Sequence, residues 1–157
     1  MSEFPHLNQQ GEAHMVDVTA KAVTVRSATA RGEVAISSEV VRLLRANDMP
    51  KGDALATARI AGIAGSKRTS DLIPLCHPIA IHGVDVVLEV TDNSVLITAT
   101  VRTADRTGIE MEALTAVSVA ALTMIDMVKG VDRNAYIRDV KLIEKHGGRS
   151  GDWVRSE

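Results

Sequence analysis

The chain has 157 residues, one domain's worth of sequence and enough to bury a core without staples. A net charge of −2 and a pI of about 6.2 give no field that attracts nucleic acid or anionic lipid, and 2% aromatics (Phe4, Tyr136, Trp153) leave no surface for stacking bases. The single cysteine, Cys76, excludes an intrachain disulfide and a cysteine-rich zinc site.

Residues 1–14 are polar, aperiodic and carry Pro5 and Gly11, and read as a mobile arm before a single domain over 15–157. From Ala22 to Ile36 Val23, Val25, Val34 and Ile36 alternate with polar partners, which predicts extended structure, with a bulge or bend at Gly32. Ser37 or Ser38 caps a short helix that stops at Asn47-Asp48-Met49-Pro50. Asp53 caps a second, about Ala54 to Lys67, rich in Ala and Gly and so able to pack closely on a neighbour. Ser70 to Pro78 holds two prolines and reads as a rigid loop.

Val84, Val86, Leu88 and Val90 alternate, Asp92-Asn93 turns, and Val95, Ile97, Ala99 and Val101 alternate again: a hairpin. Thr107 opens the longest helix, to about Lys129, with Thr107-Gly-Ile-Glu110 fitting a capping box. Its longest uncharged stretch, Ala113 to Ile125, is 13 residues, too short for a bilayer. No secretory signal is expected, so the default is a soluble, cytoplasmic protein without membrane or nucleic-acid partners. Ala135 to Lys145 is the last strand, before a flexible Gly-rich tail. The order β-α-α-β-β-α-β predicts an α+β, ferredoxin-like fold with a four-stranded antiparallel sheet and helices on one face. The bare face is expected to carry one apolar set of each strand, which argues for an oligomer to cover it.

The long helix carries the informative charges. Glu110 and Glu112 suit its first turn and Lys129 its last. Asp126 opposes the dipole and interrupts the apolar run Met124-Ile-Asp-Met-Val128; it is either paired with Lys129 or functional. Glu112 and Asp126 lie within about 40° of one helix face but about 21 Å apart along it. Either one alone is functional, or a site joins the start of one helix to the end of its neighbour's, as two antiparallel long helices in a dimer would arrange. His77, between Cys76 and Pro78, is a structural hydrogen-bonder or a ligand contact on a rigid loop. No neighbour marks Cys76 as a nucleophile, and only His82 could join His77 on a metal. Lys51-Gly-Asp53, before a helix, can receive phosphate, but Lys51, Lys67, Arg68 and Arg149 each alone read as solvated surface charges. No P-loop or GxGxxG stretch is present.

The strings KGDALATARIAGI, KRTSDLIPLCHP, TGIEMEALTAVSVAALTMIDMVK and GGRSGDW resemble the molybdenum cofactor biosynthesis protein C family, the cyclic pyranopterin monophosphate synthases, over about residues 15 to 153. The resemblance implies a ferredoxin-like subunit in a homohexamer of three dimers, with active sites at the dimer interface. It implies conversion of cyclised dihydro-GTP, (8S)-3',8-cyclo-7,8-dihydroguanosine 5'-triphosphate, to cyclic pyranopterin monophosphate and pyrophosphate. Carried over by motif, Asp126, Lys51 and Lys129 are catalytic. Leu75, Cys76, His77, Glu110, Met111 and Glu112 are substrate contacts, and Lys67 and Arg26 meet the triphosphate. No tightly bound cofactor and no protein metal site are implied; Mg²⁺ would enter with the triphosphate. Two other classes compete. A ligand-sensing module without chemistry should have lost Asp126, Lys51 or His77, and all three are present; an RNA binder would need strand aromatics and basic charge.

Overall fold

The computed structural model describes residues 5–157. Strand β1 (Thr24–Ala35) is followed by helices α1 (Ser38–Ala46), α2 (Ala54–Ser66) and α3 (Thr69–Leu72). The hairpin β2 (Gly83–Val90) and β3 (Ser94–Asp105) leads into α4 (Glu110–Val128), then β4 (Tyr136–His146) and β5 (Trp153–Val154). The sheet is antiparallel in the order β2-β3-β1-β4-β5. Its first four strands have the expected ferredoxin-like order. The one-turn α3, inside the supposed loop, and the two-residue edge strand β5 are additions to the expected pattern.

Local chemistry sets the boundaries. Ser37 Oγ accepts the Val40 N–H at 3.3 Å to open α1, and Asn47 ends it at φ 51°. Asp53 accepts the Ala56 N–H at 3.0 Å to open α2. The capping box expected at Thr107 is absent. Helix α4 starts at Glu110 with Ile109 at its N-cap and no side-chain cap; Ile109, 1% exposed, is fixed by burial instead. A bulge does occur by Gly32, but the extra residues lie on β4: Arg31 pairs with Lys141 and Glu33 with Arg138. Gly32 itself is where α4 comes closest, since a Cβ there would stand 2.6 Å from Val117 Cγ1.

The core is aliphatic, as the scarcity of aromatics demands. Val95, Ile97, Ala99 and Val101 of β3 face Ala113, Val117, Ala120 and Met124 of α4, all fully buried. Each such branched side chain stabilises the fold by roughly 1.5–3 kcal/mol. Helix α2 packs on α4 through glycines: a Cβ on Gly62 would lie 2.9 Å from the Ala116 carbonyl oxygen, and one on Gly65 2.7 Å from Val119. Taken with its flanking acids, α4 is long and apolar enough to cross a bilayer, yet most of it is buried in this core.

The open sheet face differs from expectation. It is polar, with Thr29, Thr98 and Thr100 side by side and ion pairs Arg138–Glu33 (2.9 Å) and Arg102–Asp85 (2.7 Å). Exposed apolar side chains are scattered among them on the strands, at Val25, Val87 and Val140, and others lie on the helices, at Ile60, Leu72 and Leu122. Residues 6–14 close a small turn, Leu7 bridging Ala13; the first four residues of the expected arm lie outside the described residues.

Candidate active site

The predicted residues fall into groups at the two ends of α4. At its C-terminal end, Asp126 Oδ1 accepts from Lys129 Nζ at 2.8 Å, and both Asp126 oxygens accept from Lys51 Nζ at 3.2 Å. Lys51 arrives from the turn between α1 and α2, where Gly52 takes φ +99° and buried Met49 anchors the chain. All three side chains are about half exposed. Lys129 first, then Lys51, hold the Asp126 carboxyl below the usual carboxylate range. In one subunit the cations, not burial, therefore set the state of this carboxyl.

At the N-terminal end, Leu75-Cys76-His77 lies over the start of α4. A cavity of about 330 Å³ is lined there by Val16, Lys21, His77, Glu110, Met111 and Glu112, with Leu75 and Cys76 also on its wall. Glu112 is buried, 4% exposed, and desolvation pushes its carboxyl up to about 7, with Glu110 adding like-charge repulsion. Burial, and after it Glu112, also raise the Cys76 thiol, which speaks against a thiolate nucleophile. His77 Nε2–H donates to the Val16 carbonyl at 2.5 Å, tying the loop to the segment before β1. His82 is spent elsewhere, its Nδ1 accepting the Ala104 N–H at 3.3 Å.

Two recesses flank this cavity. Lys67 lines one with Ser66, Thr69 and Glu112. Arg26 lines the other with Lys21, Glu110, Lys145 and Arg149. The two expected triphosphate contacts are thus not brought together in one subunit. Lys21 and Lys145 carry no sequence signal, because they become neighbours only through the pairing of β1 with β4. Among the described residues no three His, Cys, Asp or Glu side chains converge as a metal site.

Between the two ends runs an uncovered stripe of α4. Met111 and Leu122 are exposed, and Leu114, Ser118 and Ile125 are half buried. Their spacing of three and four residues puts them on one side of the helix, away from α2. The stripe ends at Asp126 and Lys129.

This fold and these motifs sit in a well-populated sequence family. The MoaC family matches residues 15–148, and the chain belongs to it. The cyclic pyranopterin monophosphate synthase of Streptomyces coelicolor is 64% identical over 151 residues, spanning 96% of this chain and 89% of that one. The namesake from a Nocardioides species is 59% identical, with 99% of each chain covered. Cyclic pyranopterin monophosphate synthase 2 of Mycobacterium tuberculosis is 58% identical over 98% of this chain and 92% of its own.

Proposed function

We propose that this chain is the subunit of a cyclic pyranopterin monophosphate synthase, a cytoplasmic lyase of molybdenum cofactor biosynthesis. It takes cyclised dihydro-GTP to cyclic pyranopterin monophosphate and releases pyrophosphate. The observation that carries this reading is the Lys51–Asp126–Lys129 cluster: residues 75 positions apart in sequence meet in one ion-pair network without any core to stabilise. Exposed ion pairs of this kind add about 0–1 kcal/mol, so stability alone is a weak reason to build one.

The chemistry suits the groups. Opening and reclosing the purine-derived ring moves protons on and off nitrogen and carbon. Glu112, with a pKa near 7, is matched to exchange them near neutral pH, and Asp126, held ionised, accepts a proton or fixes a lysine that delivers one. Formation of the cyclic phosphate requires a ribose oxygen to attack the α-phosphorus as pyrophosphate leaves. Lys51 and Lys129 offset the charge that grows on the departing oxygens.

The working unit is a dimer-based oligomer, assembled as a hexamer. The apolar stripe supports antiparallel packing of α4 on α4 of a second copy. A two-fold axis near Val119 brings Asp126 of each copy level with Glu112 of the other. Each site then holds the cavity of one chain and the lysine–aspartate cluster of its neighbour. Incubating the purified protein with cyclised dihydro-GTP should yield the pyranopterin and one pyrophosphate per turnover. Intact substrate after prolonged incubation would defeat the assignment.

A further inference from the structure

Three stretches of chain leave the sheet at one corner. Asp105, the last residue of β3, pairs with Thr24, the first of β1, so the segment before β1 diverges beside it. The loop that carries Cys76 and His77 joins the sheet there too, with the His82 N–H donating to the Arg102 carbonyl at 2.9 Å. Helix α4 then starts at Glu110 after a short link. The loop and the segment are the two walls that face α4 across the cavity beside Glu112.

One half-buried carboxylate ties this corner together. Asp105 Oδ1 accepts the Arg106 N–H at 2.7 Å, and its Oδ2 accepts the Ala80 N–H at 3.3 Å. The Ala80 carbonyl in turn accepts from Thr103 Oγ1 at 2.5 Å, and Thr103 is buried. Ala80 is thus held through both of its backbone polar groups. Only Pro78 and Ile79 separate it from His77. Proline fixes its own φ and Ile79 packs on the core, so the hold on Ala80 carries to the imidazole.

Arg106 reaches the other wall, its Nε donating to the Lys21 carbonyl at 3.1 Å. The segment from Val16 to Lys21 is shaped by its own turns: Asp17 Oδ1 accepts the Thr19 N–H at 2.9 Å, and the Lys21 N–H meets the Val18 carbonyl at 3.0 Å. His77 holds this preformed piece at Val16 and Arg106 holds it at Lys21. Asp105 and Arg106 line a second cavity, of about 620 Å³, which shares Val16 and His77 with the one beside Glu112. They therefore support the two walls from behind and do not face the reacting groups.

We propose that Asp105 is a positioning residue of the synthase reaction: it fixes the His77 loop through Ala80 and, through Arg106, the segment from Val16 to Lys21, and so sets the spacing of the two walls around the substrate. Backbone N–H groups on a carboxylate make charge-assisted hydrogen bonds, which are short and directional. Displacing a wall by about an ångström is enough to cost rate, even from a residue that never meets the substrate. The proposal rests on the reading of the cavity beside Glu112 as the substrate site.

The test compares Asp105→Ala, Asp105→Asn and Arg106→Ala with the parent, by hydrogen exchange of the assembled protein and by turnover of cyclised dihydro-GTP. In Asp105→Ala, residues 73–79 and 15–21 should both exchange about tenfold faster, the scale of losing a charged hydrogen bond, while β3 and α4 keep the parent rate. Arg106→Ala should loosen 15–21 alone. Asp105→Ala should lower kcat/KM about tenfold with the assembly mass unchanged. Asp105→Asn, which offers one amide oxygen where two carboxylate oxygens are used, should recover part of that loss. Adding Asp105→Ala to His77→Ala should cost less than it costs the parent, because Asp105 acts in part through His77; a merely structural residue would show full multiplication. The proposal is wrong if both segments exchange at the parent rate in Asp105→Ala, if kcat/KM is unchanged, or if the two losses multiply in full. Arg106 is exposed, so parent-like exchange of 15–21 in Arg106→Ala would also overturn it, even where Asp105 variants fail to fold. A parent protein that makes no pyranopterin would sink the proposed reaction, and the exchange pattern would still decide whether Asp105 holds the walls.

Discussion

Glu112 and Asp126 point to nearly the same side of α4 from its opposite ends, fourteen residues and about 21 Å apart. One is buried and raised toward neutrality; the other is half exposed and held ionised by two lysines. No small substrate bridges that distance within one chain, so the proposed site that uses both groups requires a pair of chains.

Asp126→Asn keeps the shape and removes the ionisable group. Activity should fall by about 10²–10⁴-fold, the scale of general acid–base catalysis, while thermal stability barely moves. Steady-state rates and melting curves check both halves. A variant that retains activity would reduce Asp126 to a surface ion-pair partner.

Leu122 stands at the middle of the uncovered stripe. Leu122→Asp should place a charge in the α4–α4 contact and split the assembly. Light scattering should then give a mass below that of the parent assembly, with activity lost. A full-sized, active Leu122→Asp protein would show that this face makes no functional contact.

Glu112 makes stability depend on pH in a defined direction. Its carboxyl titrates near 4.5 in the unfolded chain and about 7 in the folded one. Below 4.5 both states hold the proton and the contribution is fully present; it is lost as pH rises through 7, by roughly 3 kcal/mol at most. Glu112→Gln should therefore be stabilised relative to the parent at pH 8 and not at pH 4, read by denaturant unfolding at fixed protein concentration. Lysines of a second copy would pull the carboxyl back down, so the contrast should be largest in the Leu122→Asp background. Identical pH profiles with and without Glu112 would contradict its burial as an acid.

Gly32 faces Val117 and Val140 with no room for a methyl group. Gly32→Ala should destabilise by about 1–3 kcal/mol through overpacking. An unchanged unfolding midpoint would mean that β1 and α4 are further apart than described.

The hairpin over 83–105 was legible because its alternation of Val, Leu and Ile is strict and its Asp92-Asn93 turn is local. The Asp53 and Ser37 caps were legible for the same reason. What depends on distant partners was not. Alternation along β1 and β3 does not say which set meets helices, so Thr29, Thr98 and Thr100 went unseen as a polar outer face. Thr107 had the composition of a cap, but the burial of Ile109 fixed the helix start two residues on. Helix α3 and strand β5 are too short to show a period. Of the site, the Asp126–Lys129 pair was legible from helix spacing, whereas Lys51 and the Glu110–Met111–Glu112 edge were marked only by the family motifs. The grouping of Lys21, Lys145 and Arg149 around Arg26 required the pairing of β1 with β4 and a tail turn that only its glycines permit.

The most direct test of a site shared between chains is subunit mixing. Asp126→Asn and Glu112→Gln should each be nearly inactive alone. Unfolded together and reassembled, they should regain activity, because a dimer with one chain of each kind holds one intact site and one doubly damaged site. Mixed oligomers proven to form, yet as inactive as either parent, would contradict the claim that each site is built from two chains.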